Sequence, residues 1–276
     1  MSAPIEMRYQ TFPPSPALAD YVEHLWMVEA PAHAVPHREI LIPNGRPTIL
    51  VCVAAPGSRI AIRDNRIEPN VSNCAGVPTR PIILEQAGVS HYVAAQLRPW
   101  GLKAFGLPPL IDAALPMATW LGEAATSALE TACGTHGFGV DATRPLQEML
   151  SGHLDPLPPH RLSLLRSTMD AVESKGGLIG VEALTEHLGI SYDALYRLFR
   201  GYVGVPVKQF LSIMRFYHFS GELLKGGYGS FALLASLQGY YDQAHATREF
   251  RRFTGISQTE FREHLNGIAR LMHGDA

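Results

Sequence analysis

Apolar positions recur at helical spacing twice between Gly180 and Leu265, and the two stretches align with each other. The first copy reads VEALTEHLGISYDALYRLFRGYVG and the second FALLASLQGYYDQAHATREFRRFTG. Leu184 answers to Leu234, Gly189 to Gly239, Arg197 to Arg248, Phe199 to Phe250 and Gly204 to Gly255, at an offset of 50 residues that becomes 51 after the central glycine. A turn is where a duplicated unit best tolerates one extra residue, so the alignment reads as an internal repeat. In the first copy Val181, Leu184 and Leu188 share a helical face and Gly189 supplies a left-handed turn. Ser191 caps the next helix, with Leu195, Leu198 and Phe199 inward. In the second copy Phe231, Leu234 and Leu237 form the buried side of a helix ended by Gly239. Asp242 caps a helix that turns Ala246, Phe250 and Phe253 inward.

Between the copies, Val207, Phe210, Leu211, Met214 and Leu224 fit an amphipathic helix from about Val205 to Lys225, opened by Pro206. Such a helix is ~30 Å long, close to the ~34 Å of one DNA turn. Upstream the pattern changes. HREILIPNGRPTILVCVAA, RIAIRDNRI and SHYVAAQLRP are β-branched or apolar runs broken by Pro, Gly, Asn or Asp, with turns at Asn44–Gly45 and Asp64–Asn65. They predict the strands of a compact sheet or small barrel. PPSPALADYVEHLWMVEA fits helical or extended spacing equally. Ala and Leu dominate from Ile111 to Ala132 and from Thr143 to Leu150, which predicts short helices. The prolines of LDPLPPH, Leu154 to His160, mark an extended connector rather than a packed element. The expected class is α+β: a β-rich amino-terminal domain over 1–153, a linker over 154–160, and an all-α domain over 161–276 with two helix-turn-helix units on a long helix.

A short helix, a glycine turn and a second helix with outward Arg, Gln, Thr and Tyr suit insertion into the major groove. Arg can bond guanine O6 and N7 together, Gln can do the same for adenine, and Thr can meet a thymine methyl. A single copy is equally an ordinary helical hairpin of an all-α core; two copies favour the DNA reader. The segment resembles the DNA-binding domain of AraC-type transcription regulators, most specifically through GYYDQAHATREFRRFTGISQTEFRE. The resemblance extends over about residues 165 to 265. It implies base contacts from Asp193, Tyr196 and Arg197 in the first unit and from Gln243, Ala244, Thr247 and Arg248 in the second. Phosphate contacts would fall to Ser191, Arg200, Lys208, Arg215, Arg251 and Arg252. The chain departs from the family habit at Phe219 and Gly221 in the connector, at the small Ala246, at Gln258 in place of a frequent proline, and at Asp193 and Tyr196 as reading residues. The front half is more distantly similar to the sensor-like domains of one branch of that family, through IPNGRPTILV and QLRPWGLKAFGLP. That similarity implies an effector-sensing or dimerisation domain, with a cupin-like barrel as one form of it.

With 46% hydrophobic and 17% charged residues over 276 positions, the chain has ample core for two domains. The net charge of −2 argues against a nonspecific polyanion binder. Residues 1–159 carry 10 basic and 14 acidic groups and residues 160–276 carry 13 and 11, so DNA affinity must come from local placement of cations. No secretory leader or membrane span is evident, and a cytoplasmic location is expected. Cys52, Cys74 and Cys133 lack CxxC spacing and read as buried inert thiols. His24, His33, His37, His91 and His136 lack metal-site spacing, so no metal, cofactor or catalytic residue is expected. Arg98 is a candidate anion contact and Trp100 a candidate wall of an effector pocket, though core packing accounts for them equally well. The expected partners are double-stranded DNA and a small-molecule effector; a homodimer and contact with RNA polymerase stand open, and no membrane partner is expected. Two rivals remain. One is a metabolite-binding protein whose helices have lost DNA; the other is a DNA alkylation-repair-like enzyme using a front-domain cysteine.

Overall fold

The structure is a computed structural model that describes residues 7–32, 37–62, 64–225 and 231–264; His33 and Leu265 lie outside them. The front half is built of strands β1 (Arg8–Phe12), β2 (Val22–Ala30), β3 (His37–Leu41), β4 (Thr48–Cys52), β5 (Ser58–Ala61), β6 (Ile67–Pro69), β7 (Asn73–Ala75), β8 (Ile82–Gln86), β9 (Ser90–Leu97) and β10 (Ala114–Pro116). They form two antiparallel sheets, ordered β1-β2-β9-β4-β7-β10 and β3-β8-β5-β6. The segment whose spacing left helix and strand open resolves into a turn around Leu18 and Tyr21 followed by β2. Gly45, at φ +74°, and Asn65, at φ +53°, occupy the two predicted turns.

Period-two alternation gives the larger sheet two apolar faces. Leu25, Met27, Ile49, Val51, Val93 and Ala95 point to one side and share a core with Leu129, Cys133, Leu146 and Leu150. Those four come from the short helices α3 (Glu123–Gly134) and α4 (Arg144–Gly152), which follow α1 (Gly101–Ala104) and α2 (Met117–Leu121). Trp26, Val28, Leu50, Tyr92 and Ala94 point the other way, toward the smaller sheet.

The carboxyl-terminal half is helical: α5 (Pro159–Ser174), α6 (Val181–Leu188), α7 (Tyr192–Tyr202), α8 (Val207–Lys225), α9 (Phe231–Leu237), α10 (Gln243–Thr254) and α11 (Gln258–His264). The long connector α8 buries two faces in two cores. Val207, Phe210, Leu211 and Met214 join the core that runs through the front domain and the first unit, while Ile213, Phe216, Phe219 and Leu223 join that of the second unit. The Phe219 ring lies within 5.4 Å of Phe231 and 5.3 Å of Tyr240. Large rings therefore fill the core in which the small Ala246 sits.

Two expectations are corrected. Leu237 is 56% exposed, because it lies about 240° around the short α9 from Phe231, off the face made by Phe231, Leu234 and Ala235. The proline-rich segment is extended but packed: Asp155 N–H donates to Ala104 O at 2.8 Å, and buried Leu157 donates its N–H to the Tyr21 hydroxyl at 3.0 Å.

Candidate nucleic-acid interface and front-domain cavity

The second helix of each unit is started by the residues its sequence implies. Gly189 (φ +63°) and Gly239 (φ +71°) make the left-handed turns. Ser191 Oγ accepts from Ala194 N–H at 3.2 Å, and Asp242 Oδ1 accepts from His245 N–H at 2.6 Å. On α7, Leu195, Leu198 and Phe199 are buried while Asp193, Tyr196 and Arg197 are exposed. Tyr196 stacks on Tyr192 with ring centres 6.4 Å apart. On α10, Ala246, Phe250 and Phe253 are buried, Gln243, Ala244 and Arg248 are exposed, and Thr247 is half-buried with its hydroxyl donating to Gln243 O. Ser191, Arg200, Lys208, Arg251 and Arg252 are also exposed. Arg215 is not part of that rim. Its Nη2 pairs with Glu249 at 2.8 Å and its guanidinium lies 4.7 Å from the Tyr240 ring centre. Glu249 is only 8% exposed and needs that countercharge, so Arg215, expected at phosphates, here clamps α8 to α10.

A cavity of about 240 Å³ lies between the two sheets. Its wall on the smaller sheet follows one cross-strand row, Glu39–Leu84–Arg59, and on the larger sheet it includes Trp26, Leu50 and Asn73, which share a cross-strand row with the buried Ala94. Glu39, 3% exposed, is bonded to a ring nitrogen of His37 at 2.8 Å. Burial lowers His24, another wall residue, below its ordinary value and so favours the neutral ring. Arg98 and Trp100, the expected pocket residues, do not line this space. Arg98 Nε donates to Ala19 O at 3.1 Å and Trp100 Nε1 to Asp20 O at 2.9 Å, so both fasten the turn before β2.

The cavity also reaches the helical half. Arg46, on the turn between β3 and β4, and Tyr217, on α8, both line it. Arg46 bonds Glu23 of β2 through two nitrogens and Glu173 of α5 at 2.7 Å, and Glu173 in turn meets His218 at 3.0 Å. Burial alone would lower the Arg46 guanidinium, but Glu23, Tyr217 and Glu173 hold it above its ordinary value.

Among family models, one for a helix-turn-helix domain matches residues 184–264. Residues 184–264 form an AraC-type helix-turn-helix domain. That family comprises transcription regulators, not enzymes. A second model, for a domain of unknown function, matches residues 10–111. No curated protein matches the chain. Among solved structures, ToxT from Vibrio cholerae O395 is 10% identical, covering 85% of this chain and 98% of that one at a TM-score of 0.46. Unsaturated fatty acid bound wild-type ToxT from Vibrio cholerae strain SCE256 is 10% identical over 97% and 99%, also at 0.46. The AraC-like transcriptional activator CuxR is 12% identical over 77% and 80%, at 0.34. Likenesses this loose carry no argument about arrangement or ligand.

The front domain grips the AraC-type domain at equivalent points of its two units. A Cβ on Gly204, after α7, would lie 2.9 Å from Pro109 Cβ, and one on Gly255, after α10, 3.0 Å from Ile62 Cδ1. Both glycines have positive φ, +93° and +76°. A Cβ on Gly45 of the front domain would likewise lie 2.9 Å from Phe210 Cε2 of α8. Among the described residues, no cluster of His, Cys, Asp or Glu could hold a metal, and no helix is long and apolar enough to cross a membrane.

Proposed function

We propose that this chain is a DNA-binding transcription regulator acting in the cytoplasm, whose AraC-type domain reads duplex DNA through α7 and α10 and whose front-domain cavity holds a small effector. The observation that carries the reading is the pair of capped helices that leave Asp193, Tyr196 and Arg197, and Gln243, Ala244 and Arg248, exposed in a domain of this family. Thr247 completes the reading set. Arg200, Lys208, Arg251 and Arg252 beside them contact phosphates and set the register, with Ser191 adding a hydroxyl. The division of labour follows the chain: sensing in residues 1–153, DNA reading in residues 161–276. Effector control is supported by a cavity wall to which both domains contribute, through Arg46 and Tyr217. An occupant acts on DNA binding only by its different affinity for the docked and shifted arrangements of the two domains. The alkyl-acceptor enzyme is disfavoured because Cys52, Cys74 and Cys133 are all buried. Selection of bound sequences from a random duplex pool tests the reading. A recurrent motif bound with steep salt dependence is expected, and a pool that stays random after repeated rounds overturns it.

A further inference from the structure

Each acidic side chain of the cavity wall has a basic or imidazole partner within hydrogen-bond reach. Glu23 is held by Arg46, Glu39 by His37 at 2.8 Å and Glu85 by Arg38 at 2.5 Å. Arg46 is itself consumed by Glu23, Glu173 and the carbonyl of Asn44. Arg59, on β5, has no hydrogen-bonded or ion-paired partner among the described residues. Its electrostatic neighbour, Glu68, sits across the β5–β6 pair and is bridged to Arg66 at 3.4 Å. Burial disfavours the charged form of this guanidinium, lowering it from its ordinary value. On the facing sheet, Trp26 Nε1 is buried and has no hydrogen-bond partner among the described residues. A guanidinium and an indole N–H are both donors, and each lacks an acceptor.

We propose that the cavity takes a small organic acid, its carboxylate bound by Arg59 and its apolar body held between Trp26, Leu50 and Leu84. The assignment rests on the reading of this cavity as the effector site. The planar guanidinium offers two parallel N–H groups to one carboxylate, the geometry that favours Arg over any other cation for such a contact. Trp26 Nε1 supplies a further donor to a ligand oxygen. A cationic ligand would have to compete with Arg46 for Glu23 or with Arg38 for Glu85, and a neutral one would leave the Arg59 guanidinium without a charged acceptor in a partly dry site. The size, about 240 Å³, is below the usual ~300–1,000 Å³ range of ligand pockets and selects a compact molecule.

The test uses the full chain and two matched probe series, 3-phenylpropanoate and hexanoate, each with its primary amide and its amine. Calorimetry and tryptophan fluorescence read binding without DNA. At least one acid should bind saturably and about tenfold tighter than its amide and amine, as a charge-assisted pair requires. Arg59→Gln should abolish that preference by weakening the acid far more than the amide, and Arg59→Lys should retain part of it. Equal or tighter binding of the amide or amine, acid binding indifferent to Arg59→Gln, or failure of both acids to bind each overturns the proposal. DNA binding by the same acid-free preparation is measured separately. Its absence would sink the regulator reading and leave the acid site standing.

Discussion

Arg46 reaches from the front half to Glu173 of α5 in the helical half, with Nη2 2.7 Å from the carboxylate. The same guanidinium lies 5.5 Å from the Tyr217 ring centre, so one cation ties the turn between β3 and β4 to two helices of the carboxyl-terminal half. Arg46 is 11% exposed and Glu173 36% exposed, so solvent screens the pair on the Glu173 side. Glu173→Gln should therefore destabilise the fold by about 1–2 kcal/mol, less than a fully buried pair would lose. A double-mutant cycle with Arg46→Met measures the coupling. A coupling energy of zero would remove Arg46 from the link between cavity and reader.

Acid should weaken this tie in a definite order. Burial would raise Glu173, but the hydrogen bond from His218 and the charge of Arg46 outweigh it and hold the carboxyl below its ordinary value. A carboxyl lowered in the folded state stabilises the fold at pH values above its unfolded value, and that contribution is lost as pH falls through the folded value. Denaturant unfolding from pH 7 downward should show a loss below the ordinary carboxylate range that is smaller in Glu173→Gln. Parallel profiles for the two proteins would show that Glu173 does not contribute this loss.

The repeat was legible because it rests on local rules. Glycine at the turn, Ser191 and Asp242 as caps and apolar residues at helical spacing act within a few positions of one another, and the structure follows them. The cavity was not legible. Its floor depends on which strands become neighbours: Glu39, Leu84 and Arg59 are far apart in sequence and share one row only after β8 pairs with both β3 and β5. The period-two run HREIL does carry a signal, since it turns His37 and Glu39 to the same side as Leu41, which is an unusual choice for a face that meets another sheet. The pairing of Arg215 was hidden for a similar reason. It stands on an amphipathic helix as an outward cation would, and only the packing of α10 brings buried Glu249 to it.

The two caps are independent and comparable. Ser191→Ala and Asp242→Ala should each cost about 1 kcal/mol by removing the acceptor for a backbone N–H that nothing else satisfies within the helix. Asp242→Asn keeps the acceptor and should cost less. Chemical denaturation of the full chain reads all three, and an Asp242→Ala protein as stable as the parent would show that water replaces the carboxylate at no cost.

The thiols should be slow to react. Burial pushes Cys52 up to about 11 and Cys74 and Cys133 up to about 12, so very little thiolate exists at neutral pH. Iodoacetamide at pH 8 should label none of the three in the folded chain within a time that labels all three in denaturant. Rapid labelling of one native cysteine would reopen the question of a front-domain nucleophile.

The reading face makes the sharpest demand on the DNA-binding assignment. Arg197 and Arg248 occupy equivalent positions of the two units and both are exposed, so neither has a structural role to lose on truncation. Arg197→Ala and Arg248→Ala should each weaken binding to a selected duplex by about 1–3 kcal/mol and relax preference at one base pair. The two relaxed positions should lie about one helical turn apart, ~34 Å along the duplex, because α8 is of that order of length. Arg251→Ala, a phosphate contact in this reading, should instead weaken all sequences alike and lower the salt dependence. Measured on one duplex set, these patterns separate base reading from phosphate anchoring. Uniform losses at all three positions would mean that the helices meet DNA only through its backbone, and unchanged affinity would mean that the interface lies on another face.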